Sequence, residues 1–328
     1  MNSNSMEAQD TAKDPGRATF HIAFCVDNHY FRSMGATIAS IVANNPGRHF
    51  TFHVLTFTVS DENRRRLDEL EERFGCATRL HIVDPARFDR FAFFIEHSYY
   101  SLSIFSRLII PDVLHEVTDR VLYLDADILC VGKVDEMAEM DISADIAIVV
   151  PDAEETTRRR CAALGLKHPQ YFNAGVMYIN IPNWLANNIT EQTMQALLQM
   201  GKKLRFNDQD ALNIVLDGRA RYVAKKWNYI YDMVYDMDRG QRAMRPIEEA
   251  VFIHFAGAVK PWTDWSEHDA RALFRQYHAM SPWAGMPLDQ APRHPREMRL
   301  ISRFAMKRGE ILHGLRWYLR YLHARARK

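Results

Sequence analysis

No two of the four cysteines are spaced as Cys-x-x-Cys, and the chain offers neither a disulfide frame nor a zinc ribbon. Cys25, Cys76 and Cys130 lie in or beside apolar strand-like runs, and with Cys161 they read as reduced thiols of a cytoplasmic protein. No uninterrupted apolar run approaches the ~20 residues that a membrane-spanning helix needs. The first eighteen residues are polar and small, which fits a disordered tail over 1–18 and not a signal peptide. No Gly-x-Gly-x-x-Gly follows the first strand-like run, and no Walker-type loop is present. These absences weigh against dinucleotide dehydrogenases and P-loop enzymes. The net charge of +1 is small, and no nucleic-acid partner is expected.

What the 328 residues do contain is an ordinary globular composition, 47% hydrophobic and 25% charged, enough for one large core with an appendage. The charge is unevenly spread. Residues 293–328 hold eleven Lys/Arg against two Glu, whereas the remainder holds 31 basic and 39 acidic residues. A basic end of this kind suggests a partner of its own. Strand-like runs at 20–26, 50–57, 77–83, 121–124, 146–150 and 175–181 alternate with helical stretches at 33–43, 60–72 and 103–110. Alternation with Val/Ile/Leu-rich strands predicts an α/β fold with a mostly parallel sheet.

The most informative run is Arg120-Val121-Leu122-Tyr123-Leu124-Asp125-Ala126-Asp127. It reads as a buried strand ending in two carboxylates at the edge where open α/β sheets bind ligands. Desolvating an unpaired pair is costly, and a hard divalent cation such as Mn²⁺ or Mg²⁺ would remove that cost; a solvated acidic loop is the competing reading. Four other segments carry possible chemistry. Asp27 ends the first strand, Asn173 precedes an apolar run, and Asp208, Gln209 and Asp210 open a helix. His254 to Pro261 combines an imidazole, Gly257 and Lys260. Singly these also fit a turn aspartate, an Asx-turn former, a helix cap and a bonded core histidine.

In order and spacing, the motifs resemble a family 8 retaining glycosyltransferase with a GT-A fold over about residues 20–288. They are Ile22-Ala23-Phe24-Cys25-Val26-Asp27, Phe52-His53-Val54-Leu55, Arg107, the Asp125-Ala126-Asp127 run, Phe172-Asn173-Ala174-Gly175-Val176, Asp208-Gln209-Asp210 and His254-Phe255-Ala256-Gly257 with Lys260-Pro261-Trp262. Trp262-Thr263-Asp264-Trp265, Leu273-Phe274-Arg275-Gln276-Tyr277 and Ser281-Pro282-Trp283 resemble the lipopolysaccharide glucosyl- and galactosyltransferase branch.

The resemblance implies a GT-A catalytic domain over 19–262 and a helical segment over 263–328. It implies Mn²⁺, or Mg²⁺, held by Asp125, Asp127 and His254. It implies a UDP-glucose or UDP-galactose donor contacted by Asp27, His29, Arg107, Ala126, Asp152, Asn173, Ala174, Gly257 and Lys260, and a glycan or lipid-linked oligosaccharide as acceptor. His29 stands where a relative has asparagine, and residues 99–103 depart from the relatives. The catalytic set is Gln209, Asp208 and Asp210. A neutral amide at Gln209 favours front-face attack, with a covalent route through Asp208 or Asp210 as the competitor. A sugar nucleotidyltransferase and a non-catalytic binding module are the alternative classes.

Ile311, Leu315, Tyr318, Leu319 and Leu322 recur at helical spacing beside Arg316 and Arg320. An amphipathic helix over 298–328, broken near Gly309 or Gly314, is expected to dock on the anionic inner face of the cytoplasmic membrane.

Overall fold

The computed structural model describes residues 18–94, 102–247, 249–292 and 294–326. Of the tail expected over 1–18 only Ala18, and of the departing stretch 99–103 only Leu102 and Ser103, lie inside the described residues; Arg293, Arg327 and Lys328 of the basic end lie outside them.

Ten strands are present among the described residues: β1 (Phe20–Cys25), β2 (Phe50–Thr56), β3 (Ala77–Ile82), β4 (Arg120–Leu124), β5 (Ile128–Cys130), β6 (Ala147–Pro151), β7 (Phe172–Asn180), β8 (Arg221–Tyr222), β9 (Tyr229–Ile230) and β10 (Phe252–His254). Seven form one sheet in the order β3-β2-β1-β4-β7-β6-β8. The pairs β1–β2, β2–β3, β1–β4 and β6–β8 are parallel, while β7 runs antiparallel to both β4 and β6. The sheet is mostly parallel, and the one reversed strand passes through its middle.

Strand alternation sorts the apolar residues onto two faces. Ile22, Phe24, Phe52, Val54, Leu122 and Leu124 pack with Ile38, Ile41 and Trp283 on one side. Ala23, Leu55, Val121 and Tyr123 pack with Phe88, Phe91, Phe105 and Trp184 on the other. The helix Asp61–Phe74 starts where the serine predicted it, with Ser60 Oγ accepting from Asn63 N–H at 3.2 Å. The expected helix at 103–110 is instead a run of 3₁₀ turns over Leu102–Ile109, followed by a short α-helix, Ile110–Leu114. Arg107 Nε takes the Ile104 carbonyl at 3.1 Å, an acceptor that an α-helical ladder would use.

A smaller sheet, β5-β10-β9, sits beside the carboxyl end of β4. Around it Met233, Met237, Ile253, Phe255, Trp262, Phe274, Leu288 and Phe304 share one apolar cluster. Residues from beyond 262 therefore complete the core around the smaller sheet. The basic end is a pair of helices, Pro295–Lys307 and Ile311–Ala326, that part at Gly309. The first buries Ile301, Phe304 and Ala305. The second buries only Gly314, whose absent Cβ would sit 2.8 Å from Met306 Cγ. Gly309 thus marks the break, and Gly314 is a point of close helix contact. No described helix is long and apolar enough to cross a membrane. All four cysteines are free.

Three histidines bridge β1, β2 and β3. His21 Nδ1 lies 2.9 Å from His53 Nε2, and His53 Nδ1 lies 3.1 Å from His81 Nε2. Such a ladder needs a neutral central ring, with His53 giving one proton and taking one. Burial, then His21, His81 and Arg79, push His53 down to about 3, and burial lowers His21 and His81 too. With the folded value below the unfolded one of about 6.5, stability is fully present above pH 6.5. It falls as pH drops from there toward 3, because only the unfolded chain takes up the proton. Urea unfolding at pH 7, 6 and 5 should show this slope, and His53→Gln should flatten it by about 1 kcal/mol per pH unit. An unchanged slope would contradict the ladder.

Candidate metal centre and donor site

β4 delivers Asp125 and Asp127 to the carboxyl edge of the large sheet, and β10 delivers His254 to the same place. The register is stitched by main-chain bonds, Asp125 N to Gly175 O at 2.8 Å and Phe255 N to Asp127 O at 3.0 Å. His254 Nε2 lies 3.2 Å from Asp127 Oδ1 and 3.9 Å from Asp125 Oδ2. One ligand atom from each of the three residues falls within 4.8 Å of the others. Asp127 Oδ1 is buried and accepts no hydrogen bond. Two carboxylates and an imidazole with an oxygen left unbonded form a donor set that fits a hard or borderline divalent cation.

The cationic groups are placed to hold these acids together. Lys260 Nζ donates to Asp127 Oδ2 at 2.5 Å and to Phe255 O at 2.9 Å. Arg107 bridges two carboxylates, with Nη2 3.0 Å from Asp125 Oδ1 and Nε 3.0 Å from Asp208 Oδ2. Its Nη1 donates to Ala174 O at 3.0 Å, and Tyr123 O–H donates to Asp125 Oδ1. Burial alone would raise the Asp127 carboxyl, but Lys260 and His254 hold it well below the usual carboxylate range. Burial disfavours charge on His254, yet Asp127 and Asp125 raise its pKa above the ordinary histidine value. Burial pushes Asp208 up to about 6 against the pull of Arg107.

Beside this cluster lies a network of amides. Gln209 Oε1 accepts from Ala174 N–H and Asn173 Nδ2, both at 3.1 Å. Its Nε2 donates to Asp152 Oδ2 and Tyr171 Oη, both at 3.0 Å. Asp152 also accepts from Ala153 N–H at 2.6 Å, and burial raises its carboxyl. Asp210 joins this network through Tyr171, whose O–H it accepts and whose oxygen accepts from Gln209. It is fully buried and takes Arg160 at 3.0 and 2.7 Å, Tyr171 O–H at 2.6 Å, and the N–H groups of Arg205 and Phe206. Every Asp210 oxygen is occupied in holding the start of the helix Asn207–Val215, so the geometry gives it a structural task where the sequence suggested catalysis.

The remaining expected residues line the same edge. Asp27 follows β1, and its Oδ1 accepts from the N–H groups of His29 and Tyr30 at 3.0 and 3.2 Å, a turn that opens the helix Phe31–Asn44. His29 is exposed, and its ring meets Tyr30 edge-on. Ala126 is buried between the two acids. Gly257 has φ +101, a conformation that side chains rarely adopt, and a Cβ there would lie 3.1 Å from Asp232 Oδ1.

Sequence reasoning missed Tyr123, Tyr171 and Asn228. Tyr123 shares a strand face with Asp125, so period-two alternation could have found it. Asn228 and Tyr171 carried no local signal. The reason for Gly175 was also hidden: a Cβ there would sit 2.4 Å from His254 Cε1, because the imidazole packs flush against β7.

Residues 21–266 match the family described as Glycosyl transferase family 8, and residues 269–325 match its C-terminal region. The protein belongs to glycosyl transferase family 8. Family membership sets aside the nucleotidyltransferase and binding-module alternatives. The chain is similar to a lipopolysaccharide 1,3-galactosyltransferase of Salmonella typhimurium, 31% identical over 309 residues, 92% of this chain and 90% of that protein. A lipopolysaccharide 1,2-glucosyltransferase of Escherichia coli is 30% identical, covering 84% of this chain and 82% of that protein. Among solved structures, galactosyltransferase LgtC with donor and acceptor sugar analogs aligns with TM-score 0.66 and 23% identity, covering 85% of this chain and 99% of its own. That likeness supports the GT-A type of fold.

The contact between Gly175 and His254 gives a test. Gly175→Ala should push the imidazole off its position and weaken binding of added Mn²⁺ by ~10–100-fold, the scale of a misoriented ligand. Calorimetric titration of the metal-free protein measures it. Unchanged affinity would show that the close packing does not position His254.

Proposed function

We propose that this family 8 glycosyltransferase is a retaining, metal-dependent hexosyltransferase. It moves glucose or galactose from a UDP-sugar to a hydroxyl of a lipopolysaccharide-core or similar glycan. The observation that carries this reading is the meeting, at one sheet edge, of the Asp125, Asp127 and His254 cluster with the Gln209 amide network. The names of the relatives support the sugar and the acceptor class. The donor set supports Mn²⁺ or Mg²⁺, which when bound would neutralise the diphosphate and the charge growing on departing UDP.

The chain's own residues do the rest. Lys260, now paired with Asp127, is within reach of the same charge once a cation takes over that carboxylate. The second oxygen of Asp27, with His29, faces the nucleoside, and Gly257 and Ala126 let backbone approach the phosphates. Arg107, Asp152, Asn173, Ala174 and Asp208 surround the sugar. Gln209 uses all four of its hydrogen-bonding positions on Asn173, Ala174, Asp152 and Tyr171 and is neutral, so it orders the residues around the sugar and offers no electron pair to the anomeric carbon. The acceptor oxygen then bonds to that carbon on the face that the phosphate leaves, the carbon–phosphate oxygen bond breaks, and the hydroxyl proton passes to the leaving phosphate. Asp208 is the remaining carboxylate for a covalent route, since Asp210 is fully engaged.

A panel of UDP-sugars with Mn²⁺, followed by proton NMR, tests this reading. An α-linked first product and UDP are expected. Asp127→Asn should lower the rate roughly hundredfold or more. Gln209→Ala should lower turnover without abolishing it. A β-linked product, or full activity of Asp127→Asn in chelator, would refute the reading.

The basic end supports docking on the anionic inner face of the cytoplasmic membrane. Only the outer helix, Ile311–Ala326, faces solvent with Ile311, Leu312, Leu315, Tyr318, Leu319 and Leu322, Leu312 being 85% and Leu319 65% exposed. Arg316, Arg320 and His323 flank that stripe on the helical wheel. Because Phe304 belongs to the core, cutting the chain before the helix pair would open the core; point changes on the outer helix are the cleaner test. Leu312→Glu with Leu319→Glu should abolish flotation with anionic phosphatidylglycerol vesicles at low salt and leave donor hydrolysis intact. Flotation equal to that of the unmodified chain would contradict docking.

A further inference from the structure

The proposed metal centre raises a question of proton placement that the surrounding amides answer. His254 can offer Nε2 as a metal ligand only if that nitrogen carries a lone pair, and the partner of Nδ1 decides this. The partner is Asn228, whose Oδ1 lies 3.0 Å from His254 Nδ1.

The orientation of the Asn228 amide follows from groups that can only donate. Gly175 N–H donates to Asn173 Oδ1 at 3.0 Å, which fixes the Asn173 amide. Ala174 N–H donates to Gln209 Oε1, which fixes Gln209 and agrees with Asn173 Nδ2 donating to the same oxygen. The atom of Asn228 that lies 2.9 Å from Asn173 Oδ1 must then be its nitrogen. Its oxygen is left facing His254 Nδ1 and can only accept. The proton therefore sits on Nδ1, which leaves Nε2, 3.2 Å from Asp127 Oδ1, as the nitrogen that would give its lone pair to a cation once one replaces the proton held there by the two acids.

We infer that Asn228 is a positioning residue that fixes the tautomer of His254 and links the metal ligand to the Asn173–Gln209 amide pair. The inference rests on the metal reading given above. Asn228 is built for such a task. It is 1% exposed. It immediately precedes β9, which pairs with β10 with Ile230 opposite His254, so main-chain bonds hold the turn that carries Asn228 close to the imidazole. Neighbouring Lys226 O accepts from Val251 N–H at 2.7 Å, anchoring the turn from its other side. Among the described residues Nδ1 bonds no carboxylate, and the link that reaches it runs through uncharged groups only: a backbone N–H and two carboxamides.

The test measures Mn²⁺ affinity from the electron paramagnetic resonance of free Mn²⁺, in the full-length chain, without reference to turnover. Asn228→Ala should weaken Mn²⁺ binding by ~10–100-fold. In a His254→Ala background the same change should have no further effect on affinity, although any cost in thermal stability would persist. A measurement that needs no variant at position 228 guards against misfolding. In Mg²⁺-loaded protein, the ¹⁵N spectrum of histidine-labelled chain, assigned by His254→Ala, should show the proton of His254 on Nδ1. A proton on Nε2, an Asn228→Ala affinity equal to the unmodified chain, or an equal loss with and without His254 would each overturn the inference. Failure of the unmodified chain to bind Mn²⁺ or Mg²⁺ would overturn the metal reading itself and the inference with it.

Discussion

Four carboxylates, Asp125, Asp127, Asp152 and Asp208, are gathered at one edge of the large sheet, and holding like charges together there is the constraint that shapes the surrounding structure. Two unit charges about 4 Å apart repel by roughly 4 kcal/mol in a partly buried setting. The repulsion is offset from distant parts of the chain. Arg107 comes from a 3₁₀ turn and spans Asp125 and Asp208. Lys260 comes from the loop after β10 and takes Asp127. Asp152 bonds no cation among the described residues, and it is held by the Gln209 and Asn173 amides instead.

That arrangement explains the second sheet. β10 must end beside the turn between Asp125 and Asp127, and its antiparallel pairing with β5, His254 opposite Ile128, puts it there. The reversal of β7 in the large sheet has a similar consequence. Running against β4, it brings its first residues, Asn173 to Gly175, to the edge where β4 ends. A parallel strand in the same position would have placed its carboxyl end there. Gly175 then permits the contact between the two layers, because the imidazole occupies the space of a side chain.

Much of this was legible in the sequence, and the illegible parts have physical causes. Continuous Val/Ile/Leu runs marked the strands, and Ser60 marked a helix start, because burial and capping act locally. The direction of β7 was not marked, since an apolar run reads the same either way. The run at 102–109 kept helical spacing while adopting the tighter 3₁₀ turn, with Arg107 Nε on the Ile104 carbonyl. The basic end read as one stripe, yet tertiary packing divided it, with Phe304 drawn into the core and Leu312 left outside. Asp125, Asp127 and His254 could be named as residue types, but their meeting depends on pairing across more than a hundred positions. Asn228 was invisible because its partners lie 26 and 55 residues away.

The three consecutive residues Asp208, Gln209 and Asp210 show why residue type alone could not assign roles. Successive helix positions point about 100° apart, so the three side chains enter three different surroundings. Asp208 meets Arg107, and Asp210 meets Arg160, Tyr171 and two main-chain N–H groups. Gln209 alone reaches the amide network, where one end faces a main-chain donor and the other faces the Asp152 carboxylate at 3.0 Å. A carboxylate at that position would satisfy Ala174 N–H and oppose Asp152. A lysine would do the reverse. Only a group that accepts at one end and donates at the other fits both neighbours, so the neutrality of Gln209 follows from the charge already fixed beside it.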